Sequence, residues 1–269
     1  MIEELGIIAG NRSYPIQLAR AARKAGVKRI VAVAFDGETR PDLADYVDEM
    51  TWIRVGQMGK MIHILESAGI KKAIMAGQIE PSNLFRLRPD FKALMILAKL
   101  KVRNAETIFG AIADELSKAG VELLNAMTFL DEDIVPEGHI VGPKLKARQW
   151  EDVAFGNKIA KEVSRLDIGQ TVVVRNGTVL AVEAFEGTNE AILRGGKLGR
   201  SGAMVVKVSK PNQDFRFDVP VAGEITMDIM LEAGIKVLAL EAGCTLFVNK
   251  EEVFRIAEKR GISIVGIKS

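Results

Sequence analysis

The feature that most restricts the fold of this chain is a repeat in its first half. A short apolar run is closed by glycine, a run with helical spacing follows, and another apolar run comes next. The run 5–9 ends at Gly10. The run 16–25 carries apolar residues at helical spacing and stops at Gly26, and 29–35 is rich in β-formers. The stretch 58–68 is again helical up to Gly69, and 73–76 is a short buried-strand run closed by Gly77. Strands that alternate with helices pair in parallel, because each helix carries the chain back across the sheet, and the helices then cover its faces. Two longer helical stretches follow at 91–102 and 105–119.

Between Leu130 and Pro143 the rhythm breaks in an acidic segment, 131–138, that contains Pro136 and Gly138. The expectation is an α/β fold of two domains. A Rossmann-like parallel sheet spans 1–132, a linker spans 133–144, and a C-terminal α/β domain spans 145–269. In the second half, 151–165 reads as a helix. The runs 171–174 and 179–185 read as a hairpin about Asn176-Gly177, a strong turn signal. A strand at 203–208, a helix from about Thr226, and the runs 234–242, 251–259 and 262–267 complete the pattern.

Several classes are disfavoured. The net charge of +2 gives no basis for nucleic-acid binding. The one cysteine, Cys244, cannot form an internal disulfide, which fits a reducing cytoplasm. The acidic start Met1-Ile2-Glu3-Glu4 is unlike a secretory leader. No apolar stretch approaches the ~20 residues needed to span a bilayer, so membrane contact is expected to be peripheral.

The loop 6–13 joins the first strand to the first helix and could present backbone N–H groups to an anion, with Ser13 as cap and Pro15 in the first turn. A plain tight turn is the alternative, and G-x-G-x-x-G is absent. The basic stretch 194–202, with Lys197, resembles a P-loop but lacks its Ser or Thr, so ATP hydrolysis is disfavoured. It reads as a flexible loop, either closing over a diphosphate or simply solvated. In 214–218 an extended chain would place Asp214, Arg216 and Asp218 on one side and Phe215 and Phe217 on the other. Such a set could hold a metal or position water, and a surface ion pair is the alternative. Glu183 and Glu186 precede Thr188, a candidate N-cap. His63 and His139 lack partners for zinc or a histidine-based triad. The basic amphipathic stretch 84–103 suits an anionic membrane, acyl chains, or a half-buried place at a homodimer interface.

Read together, these segments resemble the LpxI family. The resemblance is carried by 6–19, by Gly56-Gln57-Met58-Gly59-Lys60 and by Ala76-Gly77-Gln78-Ile79-Glu80-Pro81. It continues through 165–188, through 210–220 on to Thr226, and through the tail Glu241-Ala242-Gly243 with Thr245-Leu246. The resemblance implies two α/β domains with a lipid-linked nucleotide sugar held between them. It implies magnesium-dependent attack of water on the α-phosphorus of UDP-2,3-diacylglucosamine, giving UMP and lipid X. It also implies a cytoplasmic enzyme, peripheral at the inner face of the cell membrane. The family's essential aspartate falls on Asp218, and Gln170 and Thr188 are implied substrate contacts. Gly10, Asn11, Arg12 and Gly77 are expected to line the same cleft. Asp218 with Glu183 or Glu186 is expected to hold magnesium, and Arg216 or Lys197 to stabilise the departing phosphate. Arg12 stands where the family often places a further glycine. A non-catalytic binder of lipid or nucleotide sugar is the competing reading. A nucleotide-dependent oxidoreductase is disfavoured by the missing fingerprint.

Overall fold

The computed structural model describes residues 2–79, 89–102, 105–199 and 202–268. They divide into two compact units. The first is Met1–Leu130 with Asp214–Asp218, and the second is Asp131–Gln213 with Val219–Ser269.

The first unit is built on five parallel strands, β1 (Glu4–Ala9), β2 (Arg29–Phe35), β3 (Glu49–Ile53), β4 (Lys72–Ala76) and β5 (Glu122–Leu123), in the order β3-β2-β1-β4-β5. The expected parallel sheet is therefore present. Its order reverses direction at β1, which leaves the loops after β1 and β4 side by side. Helices α1 (Tyr14–Lys24), α2 (Met58–Ser67), α3 (Phe91–Lys99) and α4 (Ala105–Lys118) pack around it. Gly6 sits within β1 because α2 lies close there: a Cβ would come 2.9 Å from Leu65 and 3.0 Å from Ile70. Ile8, Val31, Val33, Met61, Leu65, Ile112 and Leu116 fill the core on that face.

The helix expected at 91–102 ends at Lys99, and part of the basic stretch, 84–88 and 103, lies outside the described residues. Its lone acid, Asp90, joins two helices. The carboxylate accepts from Ala93 N at 2.9 Å, capping α3, and from Gly59 N at 2.7 Å in the first turn of α2. Helix α3 buries Ala93 and Ile96 and leaves Phe91, Leu94 and Met95 exposed. No described helix is long and apolar enough to cross a membrane.

The second unit carries a mixed six-stranded sheet of β6 (Gly138–Val141), β7 (Thr171–Arg175), β8 (Thr178–Val182), β9 (Met204–Lys207), β11 (Val237–Glu241) and β13 (Ser263–Ile267), in the order β6-β13-β11-β9-β7-β8. Strands β9, β11 and β13 are parallel, whereas β6 and the β7–β8 hairpin run antiparallel to their neighbours. Short strands β10 (Val221–Ala222) and β12 (Leu246–Phe247) form a separate parallel pair. The stretch 133–144, expected as a linker, contributes β6 to this sheet. The hairpin turns at Asn176-Gly177, with φ of 49° and 68°, as the dipeptide indicates. Asp152 completes it by accepting from Asn176 N at 2.9 Å and Gly177 N at 2.7 Å.

Helices α5 (Ala147–Arg165), α6 (Thr188–Gly199), α7 (Glu224–Glu232) and α8 (Lys250–Arg260) cover this sheet. The glycine-rich stretch expected as a flexible loop is the body of α6 up to Gly199, and Arg200 and Ser201 are outside the described residues. Glycine is weak in helices, but packing decides here. A Cβ on Gly195 would lie 2.5 Å from Val173, and one on Gly196 2.4 Å from the Ala233 carbonyl. On the opposite face, Gly156 of α5 brings that helix down on Val206, 2.6 Å from where its Cβ would stand. Bare helix surfaces thus let α5 and α6 sit close on alternate residues of the β7 and β9 strands.

Candidate active site

In the first unit, polar groups gather where the parallel strands end, the usual place for a ligand in open α/β sheets. Beyond β1 and β4 the backbones stay joined: Gly10 N donates to Ala76 O at 2.8 Å, and Asn11 N to Gln78 O at 2.7 Å. No side chain fits between them. A Cβ on Gly10 would stand 2.5 Å from Gln78 O, and one on Gly77, at φ +89°, 2.5 Å from Asn11 O. The structure therefore brings Gly10, Asn11 and Gly77 together, with Arg12 exposed on the same loop at φ 67°. Asn11 is buried and donates from Nδ2 to Glu38 Oε2 at 3.1 Å. Thr39 donates to Ala9 O and accepts from Phe35 N at 2.8 Å, closing the end of β2 onto β1. Glu38 and Thr39 carry no sequence signal, since Gly37-Glu38-Thr39-Arg40 reads as an ordinary polar turn. Ser13, expected as a cap, makes no side-chain capping bond, whereas Pro15 does occupy the first turn of α1.

The segment 214–218 is not an extended strand. It is a tight turn in which Asp214 O accepts from Phe217 N at 3.2 Å and from Asp218 N at 2.9 Å. Alternation consequently fails. Asp214 takes the Arg216 guanidinium in a forked pair at 2.9 and 2.6 Å, and Phe217 stacks on Phe109 of α4 with centroids 5.5 Å apart. The Arg216 hydrogen bond holds the Asp214 carboxyl below its usual range, and Asp214 raises Arg216 in return. Arg216 lines a shallow groove with Ser117, Gly120, Glu122 and Leu123, at the α4–β5 corner, and none of these belongs to the glycine loops. Asp218 is exposed at the end of the turn.

The turn is nonetheless joined to the glycine-loop end of the sheet. Ala126 N donates to Phe215 O at 2.7 Å, and Ala126 O accepts from the Tyr14 hydroxyl at 2.6 Å. Tyr14 begins α1, three positions beyond Asn11, and its burial pushes the phenol pKa upward.

In the second unit, Glu183 organises a different cluster. Its Oε1 accepts from Thr188 Oγ1 at 2.8 Å and its Oε2 from Gln170 N at 3.3 Å, and Thr171 Oγ1 lies 3.4 Å from Thr188 Oγ1. Gln170 and Thr188 are thereby brought together by a buried carboxylate. Thr188 is itself the first residue of α6, so its hydroxyl serves Glu183 rather than standing before the helix as a cap. Glu186 pairs with Arg194 at 2.5 Å, and that bond lowers its carboxyl pKa. Lys197 lies nine residues along α6 from Thr188, about 13 Å at the helical rise, on the solvent side of the helix. The structure does not bring it to the Thr188 cluster.

Among the described residues, no three His, Cys, Asp or Glu side chains gather into a group that could hold a metal ion. Glu183 is committed to Gln170 and Thr188, and Glu186 to Arg194, which ties the expected ligand set of Asp218, Glu183 and Glu186 to other work.

The fold and these clusters define a two-unit α/β protein with paired glycine loops at the strand ends of its first unit. Two family models match the chain, the LpxI N-terminal domain over residues 4–132 and the LpxI C-terminal domain over 136–265. The UDP-2,3-diacylglucosamine pyrophosphatase LpxI of Caulobacter vibrioides is 30% identical over 281 residues, covering 99% of this chain and 98% of that protein. The chain belongs to the LpxI family. Among solved structures, a biotin carboxylase subunit of pyruvate carboxylase aligns with 65% of this chain and 35% of its own, at 15% identity and a TM-score of 0.28. The biotin carboxylase domain of the Hydrogenobacter thermophilus 2-oxoglutarate carboxylase aligns with 66% and 36%, at 14% identity and the same TM-score. Both likenesses are too slight to argue from, and this chain spans only about a third of either protein.

Proposed function

We propose that this protein hydrolyses the phosphoanhydride of UDP-2,3-diacylglucosamine to UMP and lipid X, with Asp218 as the carboxylate that acts at the reacting phosphorus. The observation that carries the reading is the link from Tyr14 through Ala126 to Phe215. It ties the turn bearing Asp218 to the strand-end region where Gly10 and Gly77 present open backbone. The full-length match to a relative named for this activity supports the substrate class.

In this reading the glycine loops let phosphate approach the backbone closely, which a Cβ at either position would prevent. Asp218 directs water, and Gln170 and Thr188, fixed by Glu183, contact the substrate. The residues do not form a ready-made cation cage. Magnesium suits them only as an ion carried on the diphosphate, needing one or two carboxylates, for which Asp218 is the candidate. When bound it would neutralise charge on the phosphate oxygens. Contact with the membrane surface follows from the acyl chains of such a substrate, and the exposed Phe91, Leu94 and Met95 of α3 are a suitable apolar face.

The test is turnover of UDP-2,3-diacylglucosamine by the purified protein in oxygen-18 water, with and without magnesium. Label should enter UMP, marking attack at the α-phosphorus, and Asp218→Ala should lower kcat by more than ~10²-fold. Unchanged turnover in that variant removes Asp218 from the chemistry. Binding without release of UMP would instead favour a non-catalytic carrier.

A further inference from the structure

The chain leaves strand β9 at Lys207, runs out to the Asp218 turn, and returns at β10. Both roots of this excursion are fastened by side chains that the proposed chemistry does not use. At the outgoing root, Glu241, at the end of β11 and 6% exposed, takes three bonds. Its Oε2 accepts from Ser209 N at 2.6 Å and from Ser209 Oγ at 2.7 Å, and Lys161 of α5 donates to both carboxylate oxygens, at 2.6 and 2.8 Å. Lys161 also donates to Ser209 O at 3.2 Å, so both the N–H and the carbonyl of Ser209 are held. At the returning root, buried Lys207 donates to Val221 O at 3.1 Å, and Pro220 O accepts from Leu246 N at 2.9 Å. Between the roots, Lys210 and Gln213 close a turn of their own at 2.7 Å.

We propose that Glu241 is a positioning residue: with Lys161 it fixes the departure of residues 209–213 and thereby sets where Asp218 is delivered. A cheaper arrangement would suffice for stability alone. Burying a carboxylate and an ammonium at the end of a strand costs desolvation that packed apolar residues avoid. What the pair adds is a fixed direction for Ser209, because a charged acceptor facing both an N–H and a hydroxyl tolerates little displacement. Errors at a root are passed along a short, turn-built segment to its tip, and a misplacement of about 1 Å at a reacting group can cost ~10²-fold in rate.

The proposal rests on the role of Asp218 given above, and its test separates the two. Glu241→Gln keeps the shape but weakens the hold on Ser209 and Lys161. Ser209→Ala removes one bond, leaves the ion pair, and serves where Glu241→Gln does not fold. Each is measured alone and combined with Asp218→Asn, with UDP-2,3-diacylglucosamine as substrate. The expected result for Glu241→Gln is a fall in kcat of about 10- to 100-fold with KM little changed. In the Asp218→Asn background the same change should cost no further rate, because the group it positions is gone. Amide hydrogen exchange should quicken at 209–213 and stay unchanged in β7 and β11.

A kcat within twofold of the parent, an equal loss in both backgrounds, or unaltered exchange at 209–213 would each overturn the positioning role. If Asp218→Asn alone leaves kcat intact, the functional reading fails first. If the parent does not hydrolyse this substrate, exchange at 209–213 decides the anchoring by itself.

Discussion

Replacing Gly10 with alanine should unlock the first unit where its two central strands end. The added Cβ would stand 2.5 Å from Gln78 O and 2.8 Å from Gln78 N, both backbone atoms. Reaching the 3.4 Å of ordinary contact requires the loops after β1 and β4 to part by about 0.9 Å. The bonds from Gly10 N to Ala76 O and from Asn11 N to Gln78 O, now 2.8 and 2.7 Å, would then be stretched beyond useful length. Two lost backbone bonds cost about 1–3 kcal/mol and the overpacking a further ~1–3 kcal/mol, so the sum is about 2–6 kcal/mol. That is a large share of the ~5–15 kcal/mol by which a domain is stable.

The chain has two tryptophans, Trp52 in β3 of the first unit and Trp150 in α5 of the second. In a Trp150→Phe background, urea unfolding followed by Trp52 fluorescence reports the first unit alone. The internal control is Gly110→Ala in α4, where a Cβ meets nothing within 4 Å. There the same change should stabilise by about 0.5–1 kcal/mol, because only the helical entropy penalty is removed. A Gly10→Ala midpoint equal to the parent's would refute the close-approach argument, and so would a destabilisation no different from that of a loop glycine with open surroundings.

Two further predictions concern stability. Asp152→Ala removes the acceptor for both amides of the Asn176-Gly177 turn and should cost about 2–4 kcal/mol in denaturant unfolding. Glu115 of α4 is hydrogen-bonded to Lys118 and Lys92, which hold its carboxyl down to about 2 from the ordinary 4.5. A carboxylate lowered on folding contributes fully above its unfolded value and loses that contribution as pH falls. The parent should therefore lose stability between about pH 4.5 and 2, and Glu115→Gln should lose less over that window in acid titrations followed by circular dichroism.

The sequence makes the α/β pattern readable because local period and burial agree. The runs at 5–9, 29–35 and 73–76 have no exposed face to signal and are closed by glycines, and each became a parallel strand. Asn176-Gly177 specified its hairpin because both residues must adopt positive φ, a requirement few other pairs meet. Where a residue's conformation depends on distant neighbours, local reasoning fails. The 214–218 segment alternates like a strand, yet it turns, because its own Asp214–Arg216 pair and the ring of Phe109 stabilise a compact form. Gly195-Gly196 reads as loop chemistry, yet it is helical, because Val173 and Ala233 need the space that side chains would fill.

The sequence by itself determined the α/β class, the parallel opening sheet, the hairpin, and membership of a family whose motifs run the length of the chain. Only the tertiary structure decided which carboxylates are committed elsewhere. Glu183 is tied to Thr188 and Gln170, Glu186 to Arg194, and Glu241 to Ser209 and Lys161. The reason is physical. Periodicity and glycine punctuation report backbone conformation within a few residues, whereas the partner of a charged group is chosen by contacts between segments as far apart as 80 positions.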